Sequence, residues 1–119
     1  MPFVRCVYSG DSGVKDDITV ALSSAAAAAL GKPEAVMMVQ VVHDESLFFA
    51  GSKEPCAMVQ IQSIGGNFEP LIAPLSEILI SVGGILPSRI FMNFQEFTSD
   101  NWSTHGVTVK KFHEHPHSS

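Results

Sequence analysis

Two cysteines, one tryptophan, one tyrosine and seven lysines and arginines are all that this 119-residue chain holds of those residue types. Each shortage excludes something. Cys6 and Cys56 cannot build the disulfide framework of a small extracellular domain, and both lie in apolar alternating runs where a buried, reduced thiol is expected. The basic residues are scattered from Arg5 to Lys111, with only Lys110 and Lys111 adjacent, and the net charge is −5. That balance argues against nucleic acid or an anionic membrane as partner. Asp, Glu, Lys, Gly or Pro interrupts every apolar run well short of about 18 residues, so no transmembrane segment is expected. The start, Met1-Pro2-Phe3-Val4-Arg5, lacks the basic and apolar regions of a signal peptide. The expected location is the cytoplasm, and a secreted form would leave without a signal peptide.

What remains is apolar. Hydrophobic residues make up 45% of the chain and charged ones only 16%, which is incompatible with a disordered polymer. The length fits one domain with one core. A domain this small with so much apolar surface is expected to cover part of it by self-association.

Pro2 to Tyr8 alternates and is rich in Val, Phe and Tyr, which predicts a strand. Ser9 to Gly13 is turn chemistry, with Asp11 or Ser12 as helix cap. Val14, Ile18, Ala21, Leu22, Ala25, Ala29 and Leu30 then form a helical stripe that Gly31 and Pro33 stop. Val36 to His43 is nearly continuously apolar and predicts a central strand. Leu47 to Phe49 suits a short edge piece. Cys56 to Ile64 alternates as a second clean strand, ended by Gly65-Gly66. Leu71, Ile72, Leu75, Ile78, Leu79 and Val82 mark a second helix, in which Pro74 is tolerable only within the first turn. Ile90 to Phe97 predicts a further strand, and Val107 to Phe112 a last short one.

These elements repeat. Ser9 and Ser63 both end a strand and stand 54 positions apart, as do Pro33 and Pro87, which both precede one. At the same offset Val7 matches Ile61, Val36 matches Ile90 and Met38 matches Met92. The expected fold is α+β: two β-α-β units, about 1–54 and 55–112, forming a four-stranded mixed sheet with both helices on one face. Residues 113–119 are expected to be a flexible tail. The other sheet face stays uncovered, and an oligomer is the economical cover.

Pro2 is the most informative residue for chemistry. A small penultimate residue lets Met1 be removed, which leaves a secondary amine at the start of a strand. An α-amino group titrates near 7.7–8.0 and falls with burial or a nearby cation, which suits a general base at neutral pH. Around it stand Met1-Pro2-Phe3, Leu30-Gly31-Lys32-Pro33-Glu34, Gly51-Ser52-Lys53-Glu54-Pro55-Cys56-Ala57 and Gln62-Ser63-Ile64-Gly65-Gly66. These four blocks, in this order and spacing, resemble the macrophage migration inhibitory factor and D-dopachrome tautomerase family, from Pro2 to about Trp102. The resemblance implies a homotrimer whose sheets line a central barrel, with active sites at the subunit interfaces. It implies keto–enol tautomerisation of phenylpyruvate-like aromatic α-keto acids, and of dopachrome derivatives, without metal or cofactor. Pro2 would be the catalytic base. Lys32 would bind the substrate carboxylate, Ile64 would offer its backbone N–H, and Asn93 of a neighbouring subunit would meet the substrate's far end. Phe3, Val36, Phe91 and Trp102 would be pocket walls. Taken without the resemblance, Lys32 reads as a solvated lysine at a helix end, Ile64 as the end of a core strand and Asn93 as a polar residue on an open strand face.

The chain departs from the family in several places. Phe91 and Val36 stand where pocket tyrosines are common. Val59 takes the place of the second cysteine of the family's Cys-x-x-Cys, so thiol-oxidoreductase activity is not expected. The connection after Gly66 is shorter than in vertebrate members, and Asn101-Trp102-Ser103 replaces the usual glycine–tryptophan–asparagine ending. These changes motivate an alternative, a cytokine-like protein that binds a cell-surface receptor and keeps only a vestigial pocket. The run His113-Glu114-His115-Pro116-His117 has spacing that could hold a metal weakly, yet nothing in the sequence buries or orients those rings, and a solvated tail is expected.

Overall fold

The computed structural model describes residues 1–114. The first strand, β1 (Pro2–Tyr8), turns Val4, Cys6 and Tyr8 inward with no exposed surface, as its alternation requires. Asp11 then accepts a hydrogen bond from the Gly13 N–H at 2.8 Å and caps a 3-10 turn at Ser12–Val14. Of the two cap candidates Asp11 does the work, and it caps this turn rather than the helix itself. Helix α1 (Lys15–Leu30) follows, with Asp16 and Asp17 in its first turn complementing the helix dipole. It buries Ile18, Leu22, Ala26 and Ala27, and Val14, Ala25, Ala29 and Leu30 pack at the margin. Gly31 ends it in the left-handed region (φ 67°), a backbone state that costs a side-chain-bearing residue about 1 kcal/mol or more.

The second strand, β2 (Met38–His43), lies parallel to β1; β3 (Ala57–Ile64) lies antiparallel to β1; and β4 (Ile90–Phe97) lies parallel to β3. The sheet order is β2-β1-β3-β4, so two β-α-β units meet back to back through their first strands. The second helix, α2 (Glu69–Ser81), buries Leu71, Leu75 and Leu79 and packs with α1 against one face of the sheet. Gly83 is fixed by space, since a Cβ there would lie 2.6 Å from the Leu79 carbonyl oxygen. No helix among the described residues is long and apolar enough to cross a membrane.

Six local expectations are corrected. Val36 belongs to a 3-10 turn (Glu34–Val36), and β2 is an edge strand, not a central one. Its apolar run suggested cover on both faces, but one face is open: Met38 is 68% exposed and Gln40 is exposed too. Pro74 is the sixth residue of α2. Its missing N–H orphans the Pro70 carbonyl, but both prolines are exposed, so water can serve that carbonyl and the helix continues. The expected strand from Val107 to Phe112 is mostly helix. Strands β5 (Ser103–Thr104) and β6 (Val107–Thr108) pair around His105 (φ 55°) and Gly106 (φ 78°), a two-residue hairpin of the kind that needs positive φ at both positions. Thr108 Oγ1 then accepts from the Lys111 N–H at 3.1 Å and starts α3 (Val109–Glu114). His113 and Glu114, read as the start of the tail, close that helix, whereas 115–119, with His115 and His117, lie outside the described residues. From Leu47 to Phe49, only Phe49 pairs, with Ser52.

The open sheet face carries a pattern of its own. The register sets Gln40 beside Arg5, Arg5 beside Gln60 and Gln60 beside Asn93, so one polar row crosses all four strands. Arg5 Nε donates to Gln40 Oε1 at 3.1 Å within it. The row toward the far end, Val42, Val7, Met58 and Phe91, is apolar.

Candidate functional site

Three chain segments meet at the end of the sheet where β1 begins. The register sets Pro2 opposite Ser63, so the chain start and the end of β3 share one level. Helix α1 delivers its C-terminus to the same end. The left-handed turn at Gly31 lets the Lys32 N–H take the Ala27 carbonyl at 3.0 Å, and Lys32 Nζ donates to the Ile64 carbonyl oxygen at 3.2 Å. Ile64 thus uses its carbonyl on the lysine.

Two adjoining cavities open here, both bordered by Met1 and Val36. The first, about 340 Å³, takes in Pro2, Phe3, Met38, Trp102 and the β5–β6 hairpin. The second, about 360 Å³, takes in Lys32, Ile64, Ser99, Val109 and His113. Pro2 is buried, Lys32 is half-buried, and Met1, which carries the chain-start amine, borders both cavities. Burial first, and then the charge and hydrogen bonding of Lys32, hold that amine below its ordinary 8.0. An amine with a lowered pKa, a nearby fixed cation and apolar walls can move a proton and hold an anion.

Six of the eight residues singled out in the sequence border these cavities: Pro2, Phe3, Val36 and Trp102 the first, Lys32 and Ile64 the second, with Val36 in both. Asn93 and Phe91 do not. Asn93 lies on β4, the edge strand opposite β2, beside Gln60, and Phe91 lies edge-on to Phe49 with ring centroids 5.0 Å apart, opposite Met58 and away from Pro2. Sequence reasoning missed His105, Thr104, Ser99 and His113 as cavity residues. The usable signal was His105-Gly106, a dipeptide fit for a tight hairpin between β-branched residues. It also missed Ser63, whose hydroxyl is buried with no hydrogen-bond partner among the described residues.

The sequence model of the family described as macrophage migration inhibitory factor matches residues 1–110. Among curated relatives, macrophage migration inhibitory factor of Meriones unguiculatus is 31% identical over 101 residues, covering 82% of this chain and 88% of that protein. Among solved structures, the macrophage migration inhibitory factor-like protein of Entamoeba histolytica superposes with a TM-score of 0.82 at 27% identity, covering 90% of this chain and 97% of that one. The macrophage migration inhibitory factor of Trichinella spiralis also superposes at 0.82, with 25% identity over 89% of this chain and 98% of its own. Sequence and fold agree along the same stretch of chain, which has the fold of the tautomerase superfamily and belongs to the macrophage migration inhibitory factor family.

Proposed function

We propose that this chain is a tautomerase that interconverts the keto and enol forms of phenylpyruvate-like aromatic α-keto acids, with dopachrome derivatives as further substrates. Pro2, freed of Met1, is the general base. The observation that carries this reading is the amine at the chain start, held below its ordinary pKa by burial and by Lys32. With Met1 removed, the secondary amine of Pro2 becomes the chain start, one residue further into the strand and level with Ser63.

The reaction needs only proton transfers. The amine lone pair takes a proton from the carbon next to the carbonyl, the C–H pair becomes the C=C bond, and the carbonyl π pair moves to oxygen. The ammonium so formed returns the proton to that oxygen, which gives the enol and frees the amine; the reverse sequence restores the ketone. Lys32 holds the substrate carboxylate and keeps the amine partly unprotonated near neutral pH. The Ile64 N–H steadies the developing oxyanion. Phe3, Val36 and Trp102 exclude water around the ring.

The working unit is a homotrimer with its sheets around a central barrel. The exposed apolar residues support it: Met38 on the edge strand is 68% exposed, Phe91 59% and Phe48 58%. A neighbouring copy supplies Asn93 to the pocket, which it does not reach within its own chain. The competing reading, a receptor-binding protein with a vestigial pocket, is favoured by Val36 and Phe91, which carry no phenol hydroxyl.

The test is a phenylpyruvate tautomerase assay on protein whose intact mass shows Met1 absent, beside a variant with one alanine inserted before Pro2. Turnover that falls by at least about 100-fold on insertion is expected of a positioned general base. Equal turnover in both samples overturns the role of Pro2. Receptor binding that survives Pro2→Gly, in protein without turnover, supports the rival.

A further inference from the structure

The two cavities have an unexpected charge. The chain carries 12 acidic residues against seven basic ones, yet no Asp or Glu is among the described residues that border either cavity. The groups that do border them and can carry positive charge are the chain-start amine, Lys32, His113 and His105. An acidic protein has therefore kept its acidic side chains away from this one recess. Lys32 accounts for one anionic group on the ligand. His105 has no part in the reading above.

The position of His105 is fixed by the fold. It occupies the first of two left-handed positions in the hairpin loop, at φ 55°, a conformation unusual for a residue with a side chain. Its ring stacks on Phe112 with centroids 4.4 Å apart and planes 5° from parallel. Its Nδ1 lies 3.2 Å from Thr104 Oγ1, which leaves Nε2 as the ring nitrogen available to a ligand. A stacked, hydrogen-bonded imidazole at a cavity rim is preorganised for binding. Between it and Lys32 the recess is apolar, bordered by Phe3, Val36 and Trp102.

We infer that His105 is a specificity-determining residue, and that the recess is built for an aromatic 2-oxo acid carrying a second carboxylate at the far end of its ring. The inference rests on the placing of the substrate's first carboxylate at Lys32 and names the substrate class of that same site. His105 binds the second carboxylate in its imidazolium form; histidine as a residue type changes charge between about pH 5 and 8, whereas aromatic and aliphatic carboxylates stay ionised above about pH 5. The other ionisable groups on the elements around it are Lys110, Lys111, His113 and Glu114 of α3 and the amine of β1, with Lys32 in the adjoining cavity. Several of these groups can change charge, so pH alone does not isolate His105 and a variant is needed.

Phenylpyruvate and para-carboxyphenylpyruvate differ only in the second carboxylate. Binding of each to protein lacking Met1 is measured by calorimetry at pH 5.5 and pH 8.0, for the natural chain, His105→Asn and His105→Lys. Asparagine accepts the left-handed backbone and removes the charge; lysine keeps a charge at both pH values. The expected result is a preference for the dianion of about tenfold at pH 5.5, the size of one charge-assisted hydrogen bond, shrinking toward one at pH 8.0. It disappears in His105→Asn and persists at pH 8.0 in His105→Lys. A preference that is absent, or unchanged in His105→Asn, overturns the inference. Turnover of phenylpyruvate, followed on the same samples, reports separately on the tautomerase reading: a dianion preference without turnover sinks that reading and leaves the binding site standing.

Discussion

Lys32 Nζ donates to the Ile64 carbonyl oxygen at 3.2 Å and so ties the end of α1 to the end of β3, beside the chain start. One side chain thereby sets both the shape and the electrostatics of the recess. Its ammonium lowers the pKa of the adjacent amine, second to burial. A base works unprotonated, so turnover rises as pH climbs through the amine's pKa. Lys32→Met removes the cation, raises that pKa and moves the acid limb of the kcat/KM profile to higher pH. Burial remains, so the limb stops short of the value for a free amine. The KM for phenylpyruvate rises about tenfold with loss of the carboxylate's partner. An acid limb that stays in place in Lys32→Met counts against the coupling.

Arg89 is a different kind of buried cation. Its guanidinium reaches the carbonyl oxygens of Pro55, Phe49, Ser52 and Glu54 at 2.9–3.2 Å and lies 5.2 Å from the centre of the Phe49 ring. Arg89→Met leaves the Pro55 and Glu54 carbonyls without this donor, while those of Phe49 and Ser52 keep each other's N–H, and a loss of about 2–3 kcal/mol in urea unfolding is expected. Arg89→Lys recovers only part of it, because one ammonium cannot span the same fan of acceptors. Equal stability of all three proteins would show that the 49–55 loop does not depend on this anchor.

Cys6 gives a pH signature. Burial pushes its thiol from 9.0 up to about 12. Above pH 9 the unfolded thiol has lost its proton while the folded one keeps it, so stability falls as pH rises from about 9 toward 12. Stability measured at pH 8, 9 and 10 falls less steeply in Cys6→Ala, by up to one proton's worth of slope. The native thiol also resists alkylation at pH 8 until the protein unfolds.

Assembly can be tested at Met38. The proposed ring covers the exposed edge of β2, so Met38→Asp would set a charge into a contact between copies. Sedimentation is expected to give three times the 12.8 kDa chain mass for the natural protein and a smaller species for the variant. An unchanged mass for Met38→Asp places the contact elsewhere on the chain.

Ser63 offers a smaller effect of opposite sign. Its hydroxyl is buried with no partner among the described residues, so Ser63→Ala removes an unsatisfied group while keeping the strand. Stability that is unchanged or higher by up to about 1 kcal/mol is expected in thermal unfolding. A loss above that would reveal a partner gained on assembly or at the freed Pro2 amine.

Where local chemistry decides the structure, the residues could be read directly. The alternation from Pro2 to Tyr8, the stop at Gly31 and the strand from Ile90 to Phe97 all follow from side-chain period and backbone freedom. The reading failed where a feature depends on something beyond its own segment. Val36 to His43 looked central because it is nearly continuously apolar, yet β2 is an edge strand with one face open. Val107 and Val109 mimicked strand alternation, but the Thr108 cap on Lys111 turned the chain into a helix. Pro74 survives outside the first turn because Pro70 happens to face water. At the candidate site, motif spacing and family resemblance together singled out Pro2, Lys32 and Ile64, which border the two cavities. His105 stayed hidden because only the folded hairpin brings it to the same recess.

The polar row Gln40–Arg5–Gln60–Asn93 bears on the inside of any ring these sheets form. A barrel whose inner wall is apolar at every level sheds its water and sets as a solid core. A wall crossed by a guanidinium and three amides holds hydration at that level. Three copies around one axis would put three Arg5 charges on a common circumference, spaced by amides that can both give and take hydrogen bonds. The bore of such a ring would stay wet through its waist and would attract small anions along its length, while the apolar row of Val7, Val42, Met58 and Phe91 narrows and dries one mouth.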